Sequence, residues 1–315
     1  MKKHIWNRMA TTLETPIGDM VLTICTVAVA VAVSVGIAFG SDLADVKKAG
    51  VLRHLGIPYA NFVTGGGDGM DVELMMLFAK HIGVKYEYVK TDWDNIFADL
   101  TGKKVTPKGN DVEITGESPI RGDVAANGIT IIPWRQKIVD FSAPTFPNQV
   151  WLISRSDSPL KPIKPTGDID KDIAEVKKLL KDRTLLGKAK TCLDPSLYGI
   201  DITGAKVRLF DGTLNELAPA VINGESELTL LDVPDALVAL QKWPGRIKVI
   251  GPISKKQDMG AAFSKDSPKL RAAFNKFLDE IRSDGTFKRL AKENYPFVFD
   301  YSPDFFGEKR QGSSL

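Results

Sequence analysis

The chain has 315 residues, 43% of them hydrophobic and 26% charged, and a formal net charge of only +3. That length and balance suit two ordinary globular lobes, exclude disordered and fibrous classes, and give nucleic-acid binding no starting point. Two cysteines, of which Cys25 lies in an apolar N-terminal run, exclude a disulfide within the rest of the chain, and His4, His54 and His81 have neither zinc spacing nor an obvious nucleophile beside them.

Lys2, Lys3 and Arg8 precede Met20 to Phe39, an uncharged run long enough to span a bilayer as a helix. Ala38 and Gly40 also supply the small residues that a signal peptidase reads, so residues 1–40 are expected to be a signal peptide or a membrane anchor. In either case the basic end stays inside and everything from residue 41 is exported. Asp42 to Ala49 reads as a short helix, and Gly50 to Gly56 as the first strand. Gly65 to Gly69 fits no phosphate-loop fingerprint and reads as a turn. Apolar Leu74, Leu77 and Phe78 give the helix from Met70 one buried face, ending at Gly83. Val84 to Val89 alternates as a strand. Trp93 then stands at a strand-to-helix junction, where a partly exposed aromatic lacks a packing reason. Thr101 to Gly122 is polar and turn-rich, a surface insertion with hairpin character and no assigned function.

From Asp123 to Phe146 the sequence is DVAANGITIIPWRQKIVDFSAPTF. Val124 to Ala126 and Ile129 to Ile132 are strand-like, which puts Arg135 on the rim of a strand. A permanently charged planar fork there suits bidentate capture of a carboxylate. Thr130 and Gly128 offer a hydroxyl and bare backbone groups to the same ligand. The bland alternative for Arg135 is a surface salt bridge with Asp140.

This stretch resembles the signature of the extracellular solute-binding proteins of the amino-acid type, family 3. Asp123, Gly128, Thr130, Ile131, Arg135, Val139, Asp140, Phe141, Ser142, Pro144 and Phe146 fall where that pattern places them, while Ile132 and Trp134 depart from it. The resemblance covers about residues 44–300. It implies that Arg135 holds the α-carboxylate of a bound amino acid and that Tyr59, Phe62 and Trp93 face the ligand. Ile57 stands where members that bind cationic side chains often keep an acid. With Tyr59 and Trp93, it tilts the expected ligand toward an uncharged or aromatic side chain.

Farther on, Gln149 to Ile153 reads as a first crossover, Asp168 to Leu180 as a helix and Arg183 to Lys190 as a strand. The resemblance makes Thr191 to Ser196 a turn opening a helix, whose N–H groups share the ligand's carboxylate through Thr191 and Cys192. Lys190 replaces the usual glycine there, and Cys192 replaces a hydroxyl. As a bland alternative, Cys192 is a small buried hydrophobe. Asp232 ends the apolar strand LTLL, a costly place for a carboxylate unless it meets a cation. The resemblance makes it the partner of the α-amino group, whereas the bland role is a helix N-cap. Asp235 reads as an ordinary first-turn acid. Ile247 to Ile250, Met259 to Lys265, Pro268 to Ile281 and Leu290 to Tyr295 complete the pattern.

The expected architecture is α/β, of the type II periplasmic-binding-protein kind: two lobes joined by two crossover strands. The first lobe comprises residues 41–149 and 259–306, the second 150–258, and 307–315 form a polar tail. The expected function is an exported protein, in the periplasm or on the outer face of the membrane, that captures an amino acid or related carboxylate between its lobes. It hands the ligand to an ABC permease, works as a monomer, and needs no metal, cofactor, catalytic residue or nucleic acid. The alternatives are an enzyme resembling cyclohexadienyl dehydratase, with Asp235 or Asp92 as its acid, or a membrane-tethered sensor. No second domain follows residue 306, which speaks against a transglycosylase fusion.

Overall fold

The computed structural model describes residues 41–307. The expected signal or anchor over residues 1–40, with Cys25, and tail residues 308–315 lie outside the described residues. No helix among the described residues is long and apolar enough to cross a membrane. The described residues lie within one compact unit.

Helix α1 (Leu43–Ala49) is closed by a capping box on Asp42 and by left-handed Gly50. There follow β1 (Val51–Gly56), α2 (Met70–Ile82), β2 (Lys85–Lys90) and α3 (Ile96–Thr101). Helix α2 buries Leu74 and Phe78 as its apolar spacing requires, and it stops at Gly83 with φ 78°. The insertion is an antiparallel hairpin, β3 (Lys103–Lys108) and β4 (Asp111–Glu117), with Val105 opposite Ile114. Then come β5 (Val124–Ala125), α4 (Pro133–Ile138) and β6 (Val139–Phe141).

The chain leaves this lobe through β7 (Phe146–Asn148) and continues with β8 (Val150–Arg155), α5 (Ile169–Lys178), β9 (Thr184–Gly187), β10 (Lys206–Leu209), α6 (Leu217–Ile222), β11 (Leu228–Asp232), α7 (Val233–Lys242) and β12 (Ile247–Pro252). It returns through β13 (Gln257–Met259) to β14 (Ala262–Ser264), α8 (Pro268–Ser283), α9 (Thr286–Asn294) and α10 (Val298–Tyr301).

Two sheets result, in the orders β2-β1-β5-β14-β6 and β10-β9-β11-β8-β12, and the crossing strands β7 and β13 pair with each other, Asn148 opposite Gln257. The chain thus crosses one strand earlier than Gln149 to Ile153, which instead enters β8. Parallel pairing of β1 with β2 and β5, and of β9 with β10 and β11, brings the carboxyl ends of β1, β2, β9 and β11 toward one place between the sheets.

Two local expectations change. Ile129 to Ile132 joins no ladder beyond an isolated bridge from Thr130 to Met259. Arg135 belongs to a short helix and not to a strand rim, because Pro133, with φ fixed and no N–H to lose, starts α4 at its first position. One hydrophobic core runs from Leu52, Phe78 and Phe274 to Leu152, Leu186 and Leu230. A smaller core of Leu55, Ile96, Phe97, Ile129 and Trp134 lies beneath α3 and α4, with Val105 and Val112 of the hairpin packed against it.

Candidate functional site

Helix α4 turns Arg135 inward, where it is 0% exposed. The surface salt bridge does not exist, since Asp140 faces Lys265 and Arg271 at 3.5 and 3.7 Å. The guanidinium is enclosed by the rings of Trp134, Phe97 and Trp93, 5.3, 5.5 and 5.7 Å from its carbon. Nη1 donates to the Thr130 carbonyl at 2.9 Å, while Nε and Nη2 are buried without a partner. These two nitrogens share one edge of the fork, the edge that binds a carboxylate bidentately. Burial lowers the group's pKa, but a guanidinium starts so high that it stays charged.

The second lobe supplies acids. Asp232, also 0% exposed, ends β11 and caps α7, so the bland N-cap role and a place in the cluster coexist. Its Oδ1 accepts from the Tyr59 hydroxyl and, at 3.4 Å, from the Asp235 N–H, and its Oδ2 accepts from the Cys192 thiol at 3.4 Å. Burial pushes Asp232 up to about 6, against the pull of the Tyr59 and Cys192 hydrogen bonds. Asp235 is 5% exposed, with Oδ2 buried and unpartnered. Burial, and next the charge of Asp232, push it well above the usual carboxylate range. The Cys192 thiol is likewise pushed up by burial, then by Asp232, and so sits here as a neutral donor. The Tyr198 hydroxyl donates to the Cys192 carbonyl.

Of the residues singled out in the sequence, Arg135, Asp232, Tyr59, Thr130 and Cys192, all buried, and half-buried Trp93 are brought into one cluster. Tyr59 stands edge-on to Trp93 at 5.8 Å. Thr130 Oγ accepts from Asn148 Nδ2 at 3.2 Å, and Asn148 Oδ1 accepts from the Val233 N–H at 3.2 Å, so one crossover side chain ties the two lobes' site segments together. Three others face elsewhere. Phe62 packs in the core on Phe146 and Tyr295, with ring centroids 5.1 and 5.0 Å away. Gly128, at φ 56°, lies against the Phe62 ring, and its N–H is already committed to Asp71 at 2.7 Å. The Thr191 hydroxyl closes its own turn, donating to the Lys188 carbonyl at 2.8 Å and accepting from the Leu193 N–H at 3.1 Å. The turn leads only to a single 3-10 turn, Pro195–Tyr198, capped by Asp194. Phe97, Trp134, Asn148, Tyr198 and Asp235 are cluster members that the motif reading did not assign. Only Asp235, an acid three residues after Asp232 on one helical turn, carried a sequence signal.

Polar contacts latch the lobes around the cluster. Ala60 N–H donates to Asn215 Oδ1 at 2.9 Å, Asn215 Nδ2 donates to the Pro58 carbonyl at 3.3 Å, and Lys190 pairs with Asp94 at 2.8 Å. A cavity of about 460 Å³ lined by Asn148, Trp151, Gln257, Tyr301 and Phe305 lies beside the crossover strands, and Arg135 is not among its lining residues. No group of three His, Cys, Asp or Glu among the described residues could hold a metal. What the cluster can do is bind: a guanidinium of one lobe, ringed by aromatics, lies within electrostatic reach of Asp232 of the other.

The model of the bacterial extracellular solute-binding proteins, family 3, matches residues 56–296. The L-cystine-binding protein TcyJ of Escherichia coli (strain K12) is 27% identical over 80% of this chain and 85% of its own length. The probable amino-acid ABC transporter-binding protein of Haemophilus influenzae is 25% identical over 71% and 75%. The membrane-bound lytic murein transglycosylase F of Desulfosudis oleivorans is 28% identical over 74% of this chain but 46% of its own, so the chain spans about half the length of that relative. Among solved structures, a mutant of ArgBP from T. maritima superposes with a TM-score of 0.64 at 23% identity, covering 81% of this chain and 99% of that one. An ancestral amino acid-binding protein, a precursor of cyclohexadienyl dehydratase, gives a TM-score of 0.61 at 24% identity, covering 80% and 98%. At such identities these likenesses concern the fold alone, and they agree with the two-lobed architecture read from the sequence.

Proposed function

The chain belongs to the bacterial extracellular solute-binding proteins, family 3, and we propose on that footing that it captures a small amino-acid-like ligand between its lobes. The carboxylate sits on the Nε–Nη2 edge of Arg135 and the ammonium on Asp232. Tyr59 and Trp93 wall the ligand, and Cys192 and Tyr198 back Asp232. The observation that carries this reading is the Nε–Nη2 edge of Arg135, fully buried and unpartnered, on a guanidinium within electrostatic reach of Asp232 of the other lobe. A buried donor without a partner costs about 1–3 kcal/mol, and a carboxylate removes that cost. Relatives named for binding cystine and other amino acids support the ligand class. The protein is exported, as its family's description and the basic-apolar N-terminus suggest, and it delivers the ligand to an ABC permease. Closure of the lobes is the signal that the permease reads.

Binding, rather than catalysis, is the role the cluster supports best. A dehydratase would need a general acid in the cleft. Asp92 is exposed, with its carboxylate committed to the Asp94 and Asn95 N–H groups at 2.9 Å. Asp235 is the acid that keeps the enzymatic alternative testable.

The test is a thermal-shift and calorimetric screen of residues 41–315, stripped of carried-over ligand by unfolding, against amino acids, small carboxylates and prephenate-like acids. Ligand at about 100 times its Kd adds roughly 2.7 kcal/mol of stability. The expected result is an amino-acid hit that Arg135→Ala and Asp232→Ala each abolish. A hit indifferent to Arg135→Ala, or loss of a prephenate-like acid on incubation, overturns the reading.

A further inference from the structure

The cavity beside the crossover strands takes no part in the clamp, and its lining comes from three places. Asn148 of β7 and Gln257 of β13, which stand opposite each other, line it from the hinge, and Trp151 lines it from β8 of the second lobe. Tyr301 and Phe305 line it from the end of α10 and the 3-10 turn Pro303–Phe306, a segment fixed to the first lobe where the Phe306 ring packs on Phe287 of α9 at 6.2 Å. The Trp151 and Tyr301 rings meet with centroids 5.4 Å apart, so an aromatic wall runs from one lobe to the other. At about 460 Å³ the cavity falls in the range of small-molecule sites, roughly 300–1,000 Å³. Its charged lining is Asp258, Asp304 and Lys256, none of which has a side-chain partner among the described residues. One negative charge is therefore in excess. Two lining residues also reach the clamp. Asn148 bonds the Thr130 hydroxyl and the Val233 N–H. Gln257 reaches the Tyr198 hydroxyl, which donates to the carbonyl of Cys192.

We propose that this cavity is a second, regulatory site, that it takes a small planar aromatic molecule carrying a positive charge, and that its occupant steadies the closed lobes. The aromatic wall receives the ring by stacking and cation–π contact, and the excess carboxylate receives the charge. Because the wall is drawn from both lobes, the occupant binds this arrangement better than one in which Trp151 and Tyr301 have parted, and closure is favoured. By reciprocity, the factor by which it tightens the clamp is the factor by which a clamp ligand tightens it, typically about 5–150-fold. The site itself stands without the clamp reading, and only the coupling rests on it.

The probe is tryptamine, with indole-3-acetate as its counterpart of opposite charge, each titrated calorimetrically into stripped residues 41–315, which contain every lining residue. Tryptamine should bind roughly tenfold more tightly than indole-3-acetate, and the double change Asp258→Asn with Asp304→Asn should erase that preference. Tyr301 is 46% exposed, so Tyr301→Ala opens no core and should weaken tryptamine by about tenfold. Asp232→Asn, which removes the clamp's negative charge and keeps a capping oxygen, should leave tryptamine affinity within about threefold. Bound tryptamine should contract the radius of gyration of the stripped protein and lower the Kd of the amino acid found in the screen by at least about fivefold. Equal affinities for the two indoles, or no binding of either at millimolar concentration, overturn the site while leaving the clamp standing. Loss of tryptamine binding in Asp232→Asn places the amine in the clamp and overturns the site as well. Binding without contraction overturns the regulatory role. Amino-acid binding that survives Arg135→Ala overturns the clamp alone. Circular dichroism of each variant separates these outcomes from misfolding.

Discussion

At the scale of single residues the site is a set of buried ionisable groups whose partners the fold supplies only in part, and pH should expose them. Asp71, bonded to the Gly128 N–H, is pushed up by burial to about 7, and Asp232 to about 6, from an ordinary 3.8. An acid whose folded pKa is raised holds its proton more tightly when folded. Its contribution to stability is complete below the unfolded value and is lost as pH rises through the folded one. His54 runs the other way: burial lowers it from 6.5 to about 4, so its contribution is present above the unfolded value and lost as pH falls. Between pH 8 and 6.5 the acids act alone. The urea midpoint of the ligand-free protein should therefore rise on acidification over that range, and go on rising below it by less than the two acids alone would give, because His54 offsets part of the gain. Asp71→Asn should flatten the upper part of the curve, and an unaltered slope would mean that Asp71 is ionised in the fold. The places of Arg135 and Asp232 in one buried cluster were legible because a motif ties such residues to fixed positions. Tyr198 was not, since a tyrosine in a Pro-started turn after an irregular stretch has no periodicity to announce which way it faces. Phe62 and Thr191 show the converse: a matching residue type at a matching position is taken up by the local core or by its own turn.

At the scale of elements the strand and helix order was readable from apolar spacing, capping acids and glycine stops, as α2 and α5 show. The exceptions are places where tertiary pairing decides. Ile129 to Ile132 has β-branched composition but finds only one bridge, because Gly128 turns the chain and Pro133 begins a helix directly after. The hairpin β3–β4 was visible as an insertion, yet what it touches was not. Val105 and Val112 pack on the small core that also contains Trp134, and Asp111 pairs with Lys137 of α4 at 2.9 Å. The hairpin therefore braces the helix that carries Arg135. Val112→Ser should cost about 1–2 kcal/mol in chemical denaturation and weaken ligand binding, since α4 loosens. Ile114→Ser, at a position 58% exposed, should stay within about 0.5 kcal/mol. Equal effects of the two would mean that the hairpin is a passive appendage.

At the scale of the whole molecule the question is what holds the lobes together. Closure gains the two hydrogen bonds of Asn215 and the Tyr59–Asp232 bond, each worth about 0.5–1.5 kcal/mol, and the exposed Lys190–Asp94 pair, worth about 0–1 kcal/mol. It also packs Leu197 of the second lobe onto the small core of the first, which contributes about 1.5–3 kcal/mol if full. Against this stand two buried guanidinium donors and a buried Asp235 oxygen without partners, each costing about 1–3 kcal/mol. The sums nearly cancel, so the closed and open arrangements lie within a few kcal/mol and small inputs decide between them. On the proposed reading, a ligand carboxylate on the Nε–Nη2 edge converts the largest cost into a charge-assisted gain, and closure follows. Small-angle scattering of stripped residues 41–315 should therefore show a larger radius of gyration without ligand and a contraction on saturation. Asn215→Ala touches the latch and no ligand group, so it should raise Kd by about 2–10-fold while leaving the saturated radius unchanged. If the radius stays constant while calorimetry shows full occupancy, the lobes are held by contacts stronger than these, and ligand capture does not drive their closure.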